Sequence, residues 1–544
     1  MSIRQAHEWL AQDPDPETRA QLQAILEQGD EAALAQLFGA TLRFGTAGLR
    51  GELGPGPNRM NRVVVMRAAA GLAKVIGADG HVVVGYDARY KSDVFARDTA
   101  AVLTGAGLRV SLMAEHWPTP VLAFAVRRLG CDAGVMVTAS HNPPRDNGYK
   151  VYWRDGAQIV PPIDSRISAA IRSVDRVDQL PLGDDWATLD DAAIVEPYLD
   201  AVTALPIGPD RDLRVAYTPL HGVGGSVLIR AFDKAGFAAP TVVKAQFEPD
   251  PAFPTVGFPN PEEPGATDLV LKLAAETGAD LVIANDPDAD RCAVGVPLPD
   301  GSWRLLTGDE VGGLLAEHVL AHTSGDDRLL ATTIVSSSLL GRIAAAHGVR
   351  HETTLTGFKW IVRAGGPGAR LVYGYEEALG YALGSDAGLP VRDKDGIGTA
   401  LAVAGMAATA KRAGRTLLDL LDDQAVRYGL HATTQLALRV ADVSLIERVM
   451  DRLRAAPPSE LAGHDVLSID DLATGQDGLP PTDGLRYYLS GDARIVIRPS
   501  GTEPKLKCYL ELITSVTTTP AAARAEAAHG LGALKEDLSL LLVD

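Results

Sequence analysis

The apolar run Ala133-Gly134-Val135-Met136-Val137 leads directly into Thr138-Ala139-Ser140-His141-Asn142-Pro143-Pro144. A short apolar run of this kind predicts a buried strand of a parallel sheet. Ser140 would then lie just beyond the carboxyl end of that strand, where open α/β sheets bind their ligands. The two prolines prevent the loop from continuing as a helix or a ladder. The loop therefore suits a nucleophilic hydroxyl on a rigid backbone, and a surface turn that satisfies its own hydrogen bonds is the alternative.

The same order of apolar run, polar loop and helical periodicity recurs along the chain. Further apolar runs that fit this order are residues 82–86, 213–217, 281–284, 329–335 and 371–373. Strands that alternate with helices predict βαβ units and mostly parallel sheets. Residues 1–40 have the periodicity of amphipathic helices. Near the carboxyl terminus the pattern changes to a helix followed by strand-like segments, at residues 440–453, 486–489, 493–497 and 506–513.

This change of pattern, together with glycine, proline and polar stretches, divides the 544 residues into four segments. We predict domains at residues 1–208, 209–324, 325–432 and 433–544. The length alone allows roughly three to four domains. The first three segments follow the α/β pattern, and the last predicts a separate α+β domain.

Composition excludes several classes of protein. The net charge of −18 argues against a general nucleic-acid binder, because phosphate backbones require a basic surface, but it permits a local basic pocket for a small phosphorylated substrate. Cys131, Cys292 and Cys508 are too far apart for a metal motif or a disulfide framework, so we expect a cytoplasmic protein. The first 20 residues lack the apolar core of a signal peptide, and no apolar run reaches membrane-spanning length, so we expect no membrane association.

Three aspartates, Asp286, Asp288 and Asp290, alternate directly after the apolar run 281–284. Alternation in an extended loop can turn several carboxylate oxygens toward one centre, which suits a hard divalent cation. Because like charges repel, this concentration of carboxylates is costly unless a cation neutralises it. An EF-hand fits poorly, since it requires glycine where this chain has Arg291, a residue better suited to a phosphate. A solvated acidic turn is the alternative.

Other loops carry groups that could bind a phosphorylated sugar. The paired carboxylates at residues 376–377 could accept hydrogen bonds from sugar hydroxyls, although a solvated helix start would also explain them. Segment 498–505 combines a guanidinium, hydroxyls and a glycine, which together form a good phosphate cradle. The glycine-rich segment 43–51 could bind an anion, although a structural turn would also explain it, and segments 356–360 and 392–396 add basic groups. The candidate substrate-binding residues are Thr46, Arg291, Gly357, Lys359, Glu376, Glu377, Lys394, Arg498, Ser500, Gly501 and Thr502.

Taken together, these loops resemble the α-D-phosphohexomutase superfamily of phosphoglucomutases and phosphomannomutases. Four signatures occur in the order of that family: Thr138-Ala139-Ser140-His141-Asn142-Pro143, Asp286-Pro287-Asp288-Ala289-Asp290-Arg291, Glu376-Glu377-Ala378-Leu379-Gly380 and Arg498-Pro499-Ser500-Gly501-Thr502-Glu503-Pro504. With residues 44–51 they span nearly the whole chain, so the joint match is specific.

The resemblance implies three similar mixed-sheet α/β domains and a C-terminal α+β domain around a central cleft. In chain order these domains would carry the phosphoserine, the metal loop, the sugar loop and the phosphate loop. One Mg²⁺ per chain would be held by Asp286, Asp288, Asp290 and the phosphate of Ser140. The catalytic residues that the resemblance implies are Ser140, His141, Lys150 and Arg50.

The implied reaction interconverts the 1-phosphate and the 6-phosphate, or 5-phosphate, of a sugar. Phosphoserine would donate its phosphate, and a sugar bisphosphate would be both the intermediate and the activator. The expected partners are sugar phosphates, without nucleic acid or membrane, and we expect a monomer or a weak dimer.

The sugar loop departs from many members of the superfamily, because it has Ala378 where they have serine and Gly380 where some have histidine. This resembles the branch that contains phosphopentomutases and some bacterial phosphomannomutases. We expect a phosphoglucomutase or phosphomannomutase, with a phosphopentomutase as the alternative. A phosphohydrolase that uses an aspartate nucleophile would leave Ser140 and Arg498 without a role. A non-catalytic sensor often lacks the nucleophile or a metal ligand, and both are present here.

Overall fold

The computed structural model describes residues 3–43, 48–440, 442, 444–476, 478–500 and 505–543. The chain forms two compact units. The first unit comprises Met1–Leu305, Gly380–Leu383 and Leu389–Ala408, and the second comprises Leu306–Leu379, Gly384–Gly388 and Thr409–Asp544. Within the described residues, no helix is both long and apolar enough to cross a membrane.

The first unit opens with three helices and a six-stranded mixed sheet. Its elements are α1 (Ile3–Gln12), α2 (Pro16–Gln28), α3 (Glu31–Phe38), β1 (Leu49–Glu52), α4 (Arg62–Ile76), β2 (His81–Tyr86), α5 (Ser92–Gly105), β3 (Arg109–Met113), α6 (Thr119–Arg128), β4 (Ala133–Val137), β5 (Asp146–Trp153), α7 (Ile163–Arg172), β6 (Ala187–Leu189) and α8 (Asp191–Thr203). The strand order is β1-β5-β4-β2-β3-β6. Strands β4, β2, β3 and β6 are parallel, and β5 is antiparallel to both of its neighbours.

A second mixed sheet follows in the same unit. Its elements are β7 (Val215–Thr218), α9 (Gly224–Lys234), β8 (Thr241–Val242), α10 (Lys244–Phe247), α11 (Asp268–Thr277), β9 (Leu281–Ala284), β10 (Ala293–Pro297) and β11 (Trp303–Leu305). The strand order is β11-β10-β9-β7-β8, in which β7, β8 and β9 are parallel and the other two pairs are antiparallel. All four residues of β9 are buried, as expected of a parallel strand covered on both faces.

The third α/β segment continues through residue 428. Its elements are α12 (Gly308–His322), β12 (Arg328–Thr333), α13 (Leu339–Ala346), β13 (Arg350–Thr354), α14 (Phe358–Ile361), β14 (Arg370–Glu376), β15 (Gly380–Leu383), α15 (Gly396–Arg412) and α16 (Leu417–Tyr428). In the second unit, β12 lies between β13 and β14 and is parallel to both. Thr307 and Glu310 form a capping box that fixes the start of α12.

The C-terminal segment contains an antiparallel sheet. Its elements are β16 (Leu430–Arg439), α17 (Ser444–Ala455), β17 (Glu460–Leu461), β18 (His464–Asp471), β19 (Leu485–Leu489), β20 (Ala493–Pro499), β21 (Lys505–Thr514) and α18 (Pro520–Val543). The strand order is β16-β21-β20-β19-β18-β17. Leu534 and Leu538 of α18 are buried in the same hydrophobic cluster as Ile495 of β20 and Leu510 of β21.

The predicted fold class, three mixed-sheet α/β segments followed by an α+β domain, is confirmed. The central cleft and the dividing lines between the domains stay predictions. Strand β16 begins at Leu430, before the predicted start of the last domain at residue 433, and pairs with β21 along its whole length. The predicted strand at 329–335 ends at Thr333, and the side chains of Ile334 and Val335 pack against Val496 and Tyr509 of the C-terminal sheet.

Candidate active site

Ser140 lies three residues past the carboxyl end of the buried strand β4, as the sequence predicts. Its φ angle is 52°, a left-handed conformation that a non-glycine residue adopts only when its surroundings hold it there. The backbone N–H of Ser140 donates a hydrogen bond to Thr138 Oγ1 at 2.8 Å. The hydroxyl is therefore presented on a constrained turn, which is the geometry that a nucleophile requires.

Arg89 gathers the carbonyl groups of this turn. Its guanidinium donates to the carbonyl oxygens of Ser140 at 2.6 Å, Asn142 at 2.5 Å, Pro143 at 2.8 Å and Asp146 at 3.1 Å. The side chain is buried, and a planar fork of five donors can satisfy several carbonyls where a lysine could not.

Two further contacts hold the Arg89 guanidinium in place. Asp87 lies 3.5 Å from it, and the ring of Phe253 covers it at 4.9 Å. The sequence places Arg89 in a loop after a strand of the same sheet, but nothing local indicates which carbonyl groups it binds.

Three aspartates surround one point next to Ser140. Asp286, Asp288 and Asp290 are fully buried, and one carboxylate oxygen from each lies within 4.8 Å of the others. Ser140 Oγ donates to Asp286 Oδ2 at 2.7 Å, although the two residues are 146 positions apart. Thr119 Oγ1 donates to Asp288 Oδ2 at 2.6 Å. The structure therefore brings the predicted nucleophile and the predicted metal ligands into contact.

Two lysines neutralise part of this negative charge. Lys150 Nζ lies 2.7 Å from Asp288 Oδ2 and 3.1 Å from Asp290 Oδ2, and Lys394 Nζ lies 3.0 Å from Asp290 Oδ2. Burial alone would raise the pKa of Asp290, but the charges of Lys150, Lys394 and the neighbouring arginine hold it well below its usual range. Burial and the two neighbouring aspartates raise the pKa of Asp286 well above its usual range. The two lysines thus contact Asp288 and Asp290, while Asp286 accepts the hydrogen bond of the Ser140 hydroxyl.

The remaining oxygens fit a divalent cation. Asp288 Oδ1 and Asp290 Oδ1 are buried and accept no hydrogen bond from any residue that the structure describes. Unpaired buried carboxylate oxygens are costly unless a cation coordinates them. Three carboxylates at this spacing form an all-oxygen donor set, which suits Mg²⁺ better than a soft metal. The predicted metal ligands thus have the geometry and the chemistry for Mg²⁺.

Three more predicted residues lie around this centre. His141 Nδ1 is 3.3 Å from Ser140 Oγ, and burial followed by the nearby arginines lowers the pKa of the imidazole well below its usual value. Arg50 Nη1 donates to Asn142 Oδ1 at 3.2 Å. Burial lowers the pKa of the Arg50 guanidinium, and the charges of the three aspartates oppose that shift. The backbone N–H of Arg291 donates to Asp286 Oδ1 at 3.0 Å, and its side chain pairs with Glu262 at 3.2 Å.

The other predicted substrate-binding residues belong to the second unit. Glu376 is the last residue of β14, and Glu377 follows it. Gly357, with φ 110°, precedes α14, which carries the buried Lys359. Arg498 lies in β20, and the backbone N–H of Ser500 donates to the carbonyl oxygen of Lys505 at 2.8 Å. The predictions for Thr46, Gly501 and Thr502 fall outside the described residues.

Comparisons with known proteins match this chain over most of its length. Profiles of the phosphoglucomutase/phosphomannomutase family match four successive segments: alpha/beta/alpha domain I at residues 41–178, domain II at 196–298, domain III at 307–428 and the C-terminal domain at 438–524. The chain is 45% identical to a "Probable phosphomannomutase" of Haemophilus influenzae, over 83% of this chain and 93% of that protein. It is 33% identical to the human phosphopentomutase, over 93% of this chain and 90% of that protein.

A solved structure shares the fold. The crystal structure of a phosphoglucomutase/phosphomannomutase family protein from Burkholderia thailandensis superposes with a TM-score of 0.68 at 21% identity, over 92% of this chain and 97% of that one. The family that the four loops indicate is thereby confirmed: this chain belongs to the phosphoglucomutase/phosphomannomutase family.

Proposed function

We propose that this chain is a phosphosugar mutase that moves phosphate between two oxygens of one sugar by way of phosphorylated Ser140. The observation that carries the proposal is the contact between Ser140 Oγ and Asp286 Oδ2, at 2.7 Å, inside a buried group of three aspartates and two lysines. A structural serine turn has no need of such a group. Two relatives that are named as mutases support the same class of reaction, and this chain matches them over nearly their whole length.

The turn that carries Ser140 acts by positioning the serine hydroxyl. Arg89 holds the backbone so that Ser140 Oγ projects toward the aspartates, and Arg50 adds a second guanidinium to the same loop through Asn142. Guanidinium groups beside the loop favour the binding of a phosphoryl group. Mg²⁺ held by Asp286, Asp288 and Asp290 would neutralise the charge that develops on that phosphoryl group.

The reaction must also move one proton in each half. When a sugar hydroxyl attacks phosphoserine, the bond from phosphorus to Ser140 Oγ breaks, and the hydroxyl proton has to reach the serine oxygen. We assign this transfer to Lys150, whose buried ammonium lies against Asp288 and Asp290 and would give one proton to the departing serine oxygen and take up the hydroxyl proton in its place. His141, with Nδ1 3.3 Å from Ser140 Oγ, helps to orient the hydroxyl. In the second half the bisphosphate returns its other phosphate to Ser140, so the enzyme is regenerated.

The residues of the second unit would grip the substrate. Glu376, at the end of β14, accepts hydrogen bonds from sugar hydroxyls in our proposal, while Lys359, Arg498 and Ser500 bind the phosphate that does not react. Arg498 Nε is buried and has no hydrogen-bond partner among the described residues, so it retains a donor for an anion. The same residues have to bind the sugar phosphate in both orientations. This favours hydrogen-bond donors that bind the phosphate and do not depend on the sugar.

Two sugar classes remain as candidates. The relative from Haemophilus influenzae favours a hexose phosphate, as in phosphoglucomutase or phosphomannomutase. Ala378 and Gly380 in the sugar loop, together with the similarity to the human phosphopentomutase, favour a pentose phosphate.

The test is to assay the purified protein with Mg²⁺ and a trace of sugar bisphosphate on glucose 1-phosphate, mannose 1-phosphate and ribose 1-phosphate. We expect isomerisation to the 6-phosphate or 5-phosphate with little release of inorganic phosphate. The ranking of kcat/KM identifies the sugar. Release of one inorganic phosphate for each sugar phosphate consumed would instead identify a phosphohydrolase and overturn the proposal.

A further inference from the structure

The turn that joins β12 to α13 contains three consecutive serines, and we call residues Thr333–Ser338 the serine turn. Ser336 and Ser337 are each 1% exposed, although serine is usually a surface residue. Buried hydroxyl groups need hydrogen-bond partners, and the partners of this turn lie in two different parts of the second unit.

On one side, the C-terminal sheet holds the turn through Glu511 of β21. Glu511 Oε1 accepts hydrogen bonds from Ser337 Oγ at 2.7 Å and from the backbone N–H of Ser338 at 2.8 Å. Glu511 Oε2 pairs with Arg494 at 2.8 Å, and Arg494 also donates to the carbonyl oxygen of Ser336 at 2.5 Å. Burial would raise the pKa of Glu511, but Arg494 and the other donors lower it to about 2, so the carboxylate stays ionised at neutral pH.

Apolar contacts reinforce this attachment. Ile334 and Val335 are 1% and 4% exposed and pack against Val496 and Tyr509 of the C-terminal sheet. Burial of these side chains and the ionic contacts of Glu511 act on the same six residues. The serine turn is therefore fixed to the C-terminal sheet by both kinds of interaction.

On its other side, the turn holds the sugar loop through Glu377. Ser336 Oγ donates to Glu377 Oε2 at 3.0 Å, and Thr333 Oγ1 lies 3.4 Å from the same oxygen. Ser336 Oγ and Thr333 Oγ1 also contact each other at 2.8 Å. The backbone N–H of Ser337 donates to Asp309 Oδ1 at 2.7 Å, which ties the turn to α12 as well. One oxygen of Glu377 is thus already occupied by the protein.

We propose that Glu377 anchors the sugar loop instead of binding the sugar, and that Glu511 is a positioning residue that sets this loop through the serine turn. Glu376 is then the residue of the pair that binds the sugar hydroxyls. This inference rests on the proposed function, because it concerns how the sugar loop of a mutase is held. It links a residue of the C-terminal domain to substrate recognition in the preceding domain.

The contacts of the two glutamates fall on consecutive residues of the serine turn. Ser337 and Ser338 touch Glu511, Ser336 touches Glu377, and all three are consecutive in the chain. A shift of the Glu511 carboxylate therefore moves the Ser336 hydroxyl by way of rigid peptide units. A displacement of about 1 Å in a residue that orients substrate is enough to impair binding or turnover.

The experiment compares Glu511→Gln and Ser336→Ala with the control Asp470→Asn, which removes the charge that pairs with Arg486 at 2.6 Å in the same sheet but has no hydrogen bond to the serine turn. For the sugar phosphate that the wild type uses best, we expect KM to rise about five- to tenfold in both test variants, the scale of one lost hydrogen bond. We expect kcat to change less than about twofold and the control to match the wild type.

A double-mutant cycle separates positioning from general destabilisation. If Glu511 acts through Glu377, then Glu511→Gln should have little further effect on KM in a Glu377→Ala background. Additive effects of the two substitutions, or an unchanged KM in Glu511→Gln, would overturn the proposal. A complex with sugar phosphate in which Glu377 accepts a hydrogen bond from a sugar hydroxyl would also overturn it.

A crystal structure of Glu511→Gln without substrate keeps this inference distinct from the proposed function. We expect the Glu377 carboxylate to have lost its 3.0 Å contact with Ser336, and an unchanged contact would overturn the inference even if the wild type is a mutase. Conversely, a wild type that isomerises no sugar phosphate would overturn the proposed function, while the same crystal structure would still decide whether Glu511 sets the position of Glu377.

Discussion

Each unit holds a group of three carboxylates, and the two groups are neutralised by different chemistry. In the first unit, Asp286, Asp288 and Asp290 face the ammonium groups of two lysines. In the second unit, Asp309 and Glu377 accept hydrogen bonds from hydroxyl and backbone N–H groups, while Glu511 pairs with Arg494 and lies 3.2 Å from His431.

The pKa directions follow from this difference. The lysine charges hold the pKa of Asp290 well below its usual range despite burial. Burial, followed by the charge of Asp309, raises the pKa of Glu377, and burial raises the pKa of Asp309 to about 6. In the first group, Asp288 Oδ1 and Asp290 Oδ1 have no hydrogen-bond partner among the described residues and are available to a cation, whereas the contacts of the second group hold segments of the chain together. We therefore assign a chemical role to the group in the first unit and a structural role to the group in the second.

The largest effect should come from removal of the nucleophile of the first group. Ser140→Ala should lose nearly all turnover, by about a thousandfold or more, because no other described hydroxyl contacts Asp286 Oδ2. Intact-mass analysis of the wild type should show a fraction that is one phosphate heavier, and peptide mapping should place that phosphate on Ser140. A Ser140→Ala protein with wild-type turnover would show that the first group does not carry the chemistry.

A second prediction tests whether the charges of the first group serve a metal. Asp288→Asn should lower kcat by about a hundredfold, because it removes one ligand charge, and this loss should exceed any loss of thermal stability, since Asp290 remains as a partner of Lys150. Chelation should abolish wild-type activity, and added Mg²⁺ should restore it. Asp300→Asn, in the exposed turn before β11, is the control and should behave as the wild type. Full activity after chelation would contradict the metal assignment.

A third prediction concerns the support of the nucleophile. Arg89→Lys keeps the positive charge but cannot satisfy four carbonyl groups, so we expect kcat to fall about ten- to a hundredfold with KM nearly unchanged. Arg62→Lys is the matched control, because Arg62 pairs with Asp98 through two bonds of 2.7 Å in the same domain. Stopped-flow measurement of Ser140 phosphorylation by the sugar bisphosphate would read the effect directly, and an equal loss in both variants would argue against a specific role for Arg89.

The smallest effect should come from the second group. The pKa of Asp309 in the folded protein is about 6, above its ordinary value of 3.8, so folding favours the protonated carboxyl. The stability that this protonated form provides is complete below about pH 4 and is lost as the pH rises through 6. Asp309→Asn, which stays neutral at all pH values, should therefore reduce the fall in unfolding midpoint between pH 5 and pH 7. Thermal melts of both proteins at the two pH values provide the measurement. An equal pH dependence in the two proteins would show that Asp309 does not titrate in this window.

Local sequence was enough to predict several elements of this protein. The apolar runs at 133–137 and 281–284 form β4 and β9 with the predicted bounds, because a strand and the loop that follows it depend on neighbouring residues. The positions of Ser140 and the three aspartates at the ends of these strands follow from the same local pattern. The resemblance of four loops to one family added their order and their shared role.

Other contacts between distant segments become visible only in the folded chain. Lys150 and Asp288 are 138 positions apart, and Ser337 and Glu511 are 174 apart, so no periodicity or spacing could pair them. In the sequence, Arg89 is one more polar residue after a strand. Only the folded chain shows that its guanidinium binds four carbonyl groups. The apolar pattern of Ile334 and Val335 predicts strand, but both residues lie beyond the end of β12 and are buried against a distant sheet. Contacts of this kind depend on the packing of whole segments, and the free energy of that packing is not encoded in any one stretch of the chain.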